Sequence, residues 1–251
     1  MFHLAAYFLN IANVANTDVP AVVDGVLTIS NGHFRLVDNM SLVGAAAMAA
    51  TITRARLDSP SMRLPGNPYI EPCSLALLPI DRQKIWDISW QPYPLPTREE
   101  IALQATDGTG TTENLTGLIW LSLGGLGVVP PGRIQWVYLT SVTTAVVNTW
   151  TTLTSVFTTS LPSGYWSVIG SVHASATALA HRLFFPGQVW RPGFMSNALE
   201  TNKAWRWNYN GALGVMGTFV NDNPFQVQVL CNGADAAHNI KVGIIQVAGM
   251  S

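Results

Sequence analysis

Along much of this chain apolar and polar residues alternate at every second position, the period of a β-strand with one face buried. Ile134-Gln-Trp136-Val-Tyr138-Leu, Trp86-Asp-Ile88-Ser-Trp90 and Trp205-Arg-Trp207-Asn-Tyr209 show the pattern. So does the stretch in which Val168, Gly170, Val172, Ala174 and Ala176 interleave with Ser171, His173, Ser175 and Thr177. These segments predict strands. Residues 22–29 and 34–37 predict two more, joined by the turn Ser30-Asn31-Gly32. The Thr- and Val-rich run 140–160 favours strand through its branched side chains. Closing hairpins are expected at 100–123 and at 225–247, the second with Asn232-Gly-Ala-Asp235 at its tip. Residues 58–79 and 186–202 read as long loops, and the prolines of the first exclude a central strand.

One stretch is written twice. When 41–60 is laid over 167–186 without a gap, Ser41 meets Ser167, Gly44 meets Gly170, Ala50 meets Ala176 and Thr51 meets Thr177. In the same register Arg56 meets Arg182, Leu57 meets Leu183 and Pro60 meets Pro186. Leu27-Thr28 falls on Leu153-Thr154, Ile101-Ala-Leu103 on Val227-Gln-Val229, and Gly117-Leu-Ile on Gly243-Ile-Ile. Period-two segments share a small alphabet, so chance similarity stands as the alternative. The repeat predicts an all-β chain of two tandem jelly-roll β-barrels at 1–123 and 132–251, joined by a linker at 124–131. A single barrel with long insertions is the structural rival. The apolar start 1–14 lacks a basic n-region and falls on the strand region 127–140, so it reads as the first strand and not as a signal peptide.

Composition narrows the classes. Of 251 residues 48% are apolar and only 11% charged, against about a quarter charged in an average soluble protein. The net charge is −1, and basic residues do not cluster, so direct nucleic-acid contact is not expected. A surface this poor in charge suits contact with other subunits. Cys73 and Cys231 occupy non-equivalent places, which points to isolated thiols rather than a disulfide or metal knuckle.

Candidate chemistry is sparse. None of the five histidines forms a His-x-His pair, and His173 and His181, taken as one strand, would lie more than about 20 Å apart. No catalytic residue, cofactor or metal cluster is assigned, and no nucleophile elbow or phosphate loop is present. Glu99 and Glu100 alternate in direction and read as a strand-entry charge pair. Asp107, Glu113 and Asp235, at hairpin tips, can be either calcium ligands or ordinary Asx turns. Among nine tryptophans, Trp86, Trp90, Trp120, Trp136, Trp166 and Trp207 lie in strand patterns and are expected in the core. Trp150, Trp190 and Trp205 sit near loops, where a subunit interface or a sugar site can use them.

The duplicated module, the short linker and the low charge resemble the double jelly-roll major capsid proteins of icosahedral, mostly membrane-containing viruses of bacteria and archaea. The resemblance implies a homotrimer whose six barrels form a pseudo-hexameric capsomer, packed against neighbouring capsomers in a virion shell. Assembly in the host cytoplasm is implied with it, as are penton or minor capsid proteins and an internal membrane as further partners. Two rivals from other classes are a carbohydrate-binding β-sandwich, of the spike or lectin kind, and a bicupin-like enzyme.

Overall fold

Strands in this protein range from 2 to 12 residues, and each sheet is assembled from distant parts of the chain. The fold is given by a computed structural model that describes residues 1–12, 17–19, 26–30, 33–49, 54–62, 69–70, 85–106, 112–175, 177–196, 207 and 211–249. The first half contributes β1 (Phe2–Ala12), β2 (Thr17–Val19), β3 (Thr28–Ser30), β4 (His33–Arg35), β5 (Met40–Met48) and β6 (Arg54–Asp58). It continues with β7 (Tyr69–Ile70), β8 (Trp86–Asp87), β9 (Tyr93–Leu95), β10 (Glu100–Thr106) and β11 (Thr112–Ser122). The second half runs through β12 (Gln135–Ser141), β13 (Thr151–Leu153), β14 (Val156–Phe157), β15 (Gly164–Ala174) and β16 (Ala178–Phe184). It ends with β17 (Gly193–Met195), β18 (Gly217–Val220), β19 (Gln226–Cys231) and β20 (His238–Gly249).

Both halves follow one plan. In the second, one sheet has the order β12-β20-β15-β18, with β14 beside β12, and the other has β13-β19-β16-β17. In the first, the corresponding sheets are β1-β11-β5-β8 and β2-β10-β6-β7, with β9 beside β5 and the β3–β4 hairpin beside β10. In each half the last strand therefore lies between the first and third main strands, and the second strand pairs with the seventh. That order defines a jelly roll. The chain is all-β, a double jelly roll.

The chain divides into two compact units, Ala5–Gly124 and Met1–Leu4 with Gly125–Ser251. Met1–Leu4 was expected in the first module. These residues pack with the second because Leu4 N–H donates to the Arg191 carbonyl (3.0 Å) and the Phe2 ring lies 5.6 Å from that of Phe194.

The duplication extends to an irregularity. Pairing of β5 with β11 slips between Leu42 and Gly44, leaving Val43 unpaired, and pairing of β15 with β20 slips between Val168 and Gly170, leaving Ile169 unpaired. Val43 and Ile169 are matched in the sequence register, so both copies carry a β-bulge at one place. The same pairings correct the alignment of the closing strands. Gly44 is opposite Trp120 and Gly170 opposite Gly243, so the counterpart of Gly243 is Trp120, not Gly117. Leu57 is opposite Leu103 and Leu183 opposite Val227, so Leu103, not Ile101, corresponds to Val227. Loops of different length before these strands moved the true register by a few residues.

Three further expectations need revision. The regions 100–123 and 225–247 do not form hairpins, because β10 and β11, like β19 and β20, belong to different sheets. The stretches after Ser41 and Ser167 are each two strands, β5 then β6 and β15 then β16. The break is visible at Ser175, whose hydroxyl accepts the backbone N–H groups of Thr177 and Ala178 (both 3.2 Å) and turns the chain from one sheet to the other. Finally, Trp86–Trp90 is strand only at β8. The Asp87 carboxylate accepts Ser89 N–H (2.9 Å) and Oγ–H (2.7 Å), and the resulting turn leaves Trp90 78% exposed.

Candidate functional site

Three groups of side chains carry the chemistry of the described residues: a strip on an outer sheet face, a pair of Arg–Gln bonds, and a chain of buried histidines. The strip follows from the alternation of β12. Val137, Leu139 and Ser141 point inward and are buried, which leaves Trp136, Tyr138 and Thr140 outward. Trp136 is opposite Gly243, and a Cβ at that glycine would meet the indole ring at 2.6 Å, so the ring lies across the glycine. Lys241 on β20 places its ammonium 5.5 Å from the Trp136 ring and 5.6 Å from the Tyr138 ring. Val156 on the edge strand β14, opposite Thr140, continues the strip. Trp136 was expected in the core. It lies on the outside because the inward parity of β12 belongs to Val137 and Leu139.

The repeated arginines do the same thing twice. Arg56 Nε–H donates to Gln104 Oε1 (2.6 Å) across β6 and β10, and Arg182 Nε–H donates to Gln228 Oε1 (2.9 Å) across β16 and β19. In the second copy the arginine is fully buried and its guanidinium lies 4.2 Å from the Trp150 ring centre. Arg191 Nη1 shares the Gln228 oxygen (2.9 Å), and the Gln228 amide donates to Thr152 Oγ1 (3.0 Å). Bonds to a charged donor are the stronger kind, and here they tie the two middle strands of a sheet in register. Of the other repeat positions, Ser41 and Gly44 lie in β5 and Ser167 and Gly170 in β15, whereas Leu57 and Leu183 lie in β6 and β16 with Pro60 and Pro186 just beyond. Thr177 bonds Asp235, whereas Thr51 lies outside the described residues.

The histidines lie on three strands of the second barrel. His173 (β15) and His181 (β16) belong to different sheets, so their ring centres are 5.8 Å apart instead of the expected separation along one strand. His173 Nδ1 is 2.9 Å and His181 Nδ1 3.2 Å from Ser196 Oγ. His173 Nε2 is 3.1 Å from His238 Nδ1, and His181 Nε2 is 2.8 Å from Ser171 Oγ. His238 Nε2 is 3.2 Å from the Asp235 carbonyl. Burial holds His173 well below its ordinary pKa, aided by the neighbouring imidazoles, and pushes His181 down to about 3. Nothing in the sequence spacing announced this cluster. The turn at Ser175, had it been recognised, would have brought the two rings together.

The remaining candidates are dispersed. Asp235 is engaged by the hydroxyls of Ser175 and Thr177 and by Ala237 N–H. Desolvation works to raise its pKa, but these bonds outweigh it and the carboxyl is lowered. Asp107 lies outside the described residues, as does the side chain of Glu113, and among the described residues no three His, Cys, Asp or Glu side chains, the histidine chain included, are placed to hold a metal ion. Trp190 is buried with its ring 5.6 Å from His3, Trp150 is half-buried beneath Arg182, and Trp205 is outside the described residues. Glu100 pairs with Arg35 across β10 and β4, which lowers its pKa, while Glu99 is buried and accepts Ser61 N–H (2.7 Å). Burial pushes the Cys231 thiol up to about 11. Cys73 is outside the described residues.

No family model matches the chain, and no curated protein matches it. Among solved structures the chain is similar to the major capsid protein P2 from bacteriophage PM2. That likeness covers 100% of this chain and 99% of that one, at 10% identity and a TM-score of 0.26. The jelly-roll assignment rests on this chain's own strand order.

Proposed function

We propose that this chain is the major capsid protein of an icosahedral virus of bacteria or archaea. The observation that supports it most is the duplication itself: two jelly rolls of one strand order, sharing a bulge and an Arg–Gln bond. A subunit with two like barrels has two quasi-equivalent sides, and three such subunits closed by a threefold axis give six barrels in a pseudo-hexameric block. A chain with only 11% charged residues and an outward strip of Trp136, Tyr138 and Val156 fits repeated protein–protein contact. On this reading the capsomer tiles a virion shell assembled in the host cytoplasm. Neighbouring capsomers are its main partners, with penton or minor capsid proteins and an internal membrane at other surfaces, and the genome is not contacted directly. The chain performs no catalysis.

The test is light scattering of the purified protein, with electron microscopy of the same fractions. A particle of three times the subunit mass with a hexagonal outline, or shells built from it, is the expected result. A stable monomer that binds glycans on an array overturns the reading in favour of a carbohydrate-binding module.

A further inference from the structure

The histidine chain has a direction fixed by one end. A backbone carbonyl only accepts, so His238 must carry its proton on Nε2 to donate to Asp235 O at 3.2 Å. A neutral His238 then has a bare Nδ1, which requires His173 to carry its proton on Nε2 (3.1 Å). His173 Nδ1 is then an acceptor for Ser196 Oγ–H (2.9 Å), and Ser196 Oγ accepts in turn from His181 Nδ1–H (3.2 Å). His181 Nε2 finally accepts Ser171 Oγ–H (2.8 Å). With all three rings neutral, each of the four internal contacts contains one proton, and every tautomer is determined.

One added proton fits. It can sit on any of the three rings while each contact keeps one proton, provided the Ser171 hydroxyl turns from His181 toward Met216 Sδ, 4.0 Å away. A second is opposed twice over: either two protons face each other between His173 and His238, or the Ser196 hydroxyl must leave both its contacts. In each case two like charges clash within one buried row of rings whose neighbouring centres are 5.2 and 5.8 Å apart. His173, His181, Ser171 and Ser196 are all buried, His238 is 2% exposed, and water cannot relieve that clash without the sheets parting. The titratable groups around the chain, among the described residues, are these three histidines on β15, β16 and β20, Asp235 before β20, and Cys231 on β19. Phe194 on β17 and Met216 before β18, which also touch it, do not titrate.

The first barrel has none of this. By the registers of the paired strands, His173 corresponds to Ala47, His181 to Ala55 and His238 to Leu115, each buried. We infer that the histidine chain is an acid-operated catch built into the second barrel alone, which holds at most one extra proton and releases the pairing of its two sheets when a second enters.

The sign follows from linkage. Histidines whose folded pKa lies below the unfolded value of about 6.5 bind more protons when the barrel opens, so its stability is full above that pH and is lost as pH falls. Each histidine kept neutral adds about tenfold per pH unit to the opening equilibrium. With two or more involved, opening of the second barrel steepens to about a hundredfold per pH unit between pH 6 and 4.

The inference does not depend on the capsid reading, since it concerns one barrel of the full chain. Hydrogen exchange of the intact protein at stepped pH, corrected for intrinsic rates, compares peptides of β15, β16 and β20 with those of β5, β6 and β11. Acid-steepened exchange confined to the second set is expected, and His173→Gln with His181→Gln should reduce its slope by about tenfold or more per pH unit. Equal slopes in both barrels, or an unchanged slope in the variant, overturn the inference. Should the variant fail to fold, ¹⁵N-histidine spectra of the unaltered protein at pH 7.5 decide. The expected tautomers are Nε2–H for His173 and His238 and Nδ1–H for His181, and any other set overturns it.

Discussion

The two barrels of this chain share a backbone plan and differ in what fills it. Both have the bulge at Val43 or Ile169 and the cross-strand bond of Arg56 to Gln104 or Arg182 to Gln228. Inside, the second barrel carries the His173–His181–His238 chain where the first has Ala47, Ala55 and Leu115. The first has a polar device of its own: Tyr7 donates its hydroxyl proton to the Ile101 carbonyl and accepts Phe34 N–H at 3.4 Å, with its ring 4.3 Å from that of Phe34. The difference teaches where a duplicated β-fold is free to diverge. Features that set how strands pair are kept, because a one-residue slip would turn every side chain to the wrong face. Interior side chains can change as long as each polar group brought in finds a partner.

The comparison is broken most forcefully at the core tryptophans. Trp120 on β11 and Trp166 on β15 are each fully buried in their own unit. Substituting either with alanine should cost about 3–5 kcal/mol, and calorimetry should show one of two transitions lowered: the first barrel's for Trp120→Ala, the second's for Trp166→Ala. A joint fall of both would mean that the units melt as one.

The Arg–Gln pairs sharpen it. Gln228→Ala removes the oxygen shared by Arg182 and Arg191, and buried charged donors left without it should cost about 2–3 kcal/mol. Gln104→Ala acts on a half-buried pair that water can reach, and a loss near 0.5 kcal/mol is expected in the same urea titration. Equal losses would erase the distinction between a buried and a wetted copy. Smallest is Trp90→Ala: at 78% exposure the change should stay within about 0.5 kcal/mol. A larger effect in thermal melts would show that the ring is covered in solution by another copy.

Much of the architecture was legible in the chain. The gapless match of Ser41, Gly44, Arg56 and Leu57 with Ser167, Gly170, Arg182 and Leu183 survives because these residues sit in central strands, where pairing constrains them on both sides. The alternation of β12 was equally plain. Less legible was which of its faces is inside, since Trp136 and Tyr138 are as apolar as Val137 and Leu139. The break between β15 and β16 was hidden by the small polar residues that make it, Ser175 and Thr177, which also fit a strand. The histidine chain was invisible for the same reason. Its members are far apart in sequence and meet only once the fold is known.

The place of the last strand in each barrel bears on how the protein is made. β11 lies between β1 and β5, and β20 between β12 and β15, so in each barrel this sheet has no continuous middle until its final strand is synthesised. A ribosome delivers residues in order, at about 5–20 per second. Each nascent barrel must therefore wait several seconds with its interior strands unzipped, and the non-local pairings that close it are of the slow kind. During that interval the small-residue strands, β5 with its run of alanines above all, expose unsatisfied edges to any neighbouring chain. The protein's yield in a crowded cell should thus respond to translation speed and to chaperone supply more than its finished stability would suggest.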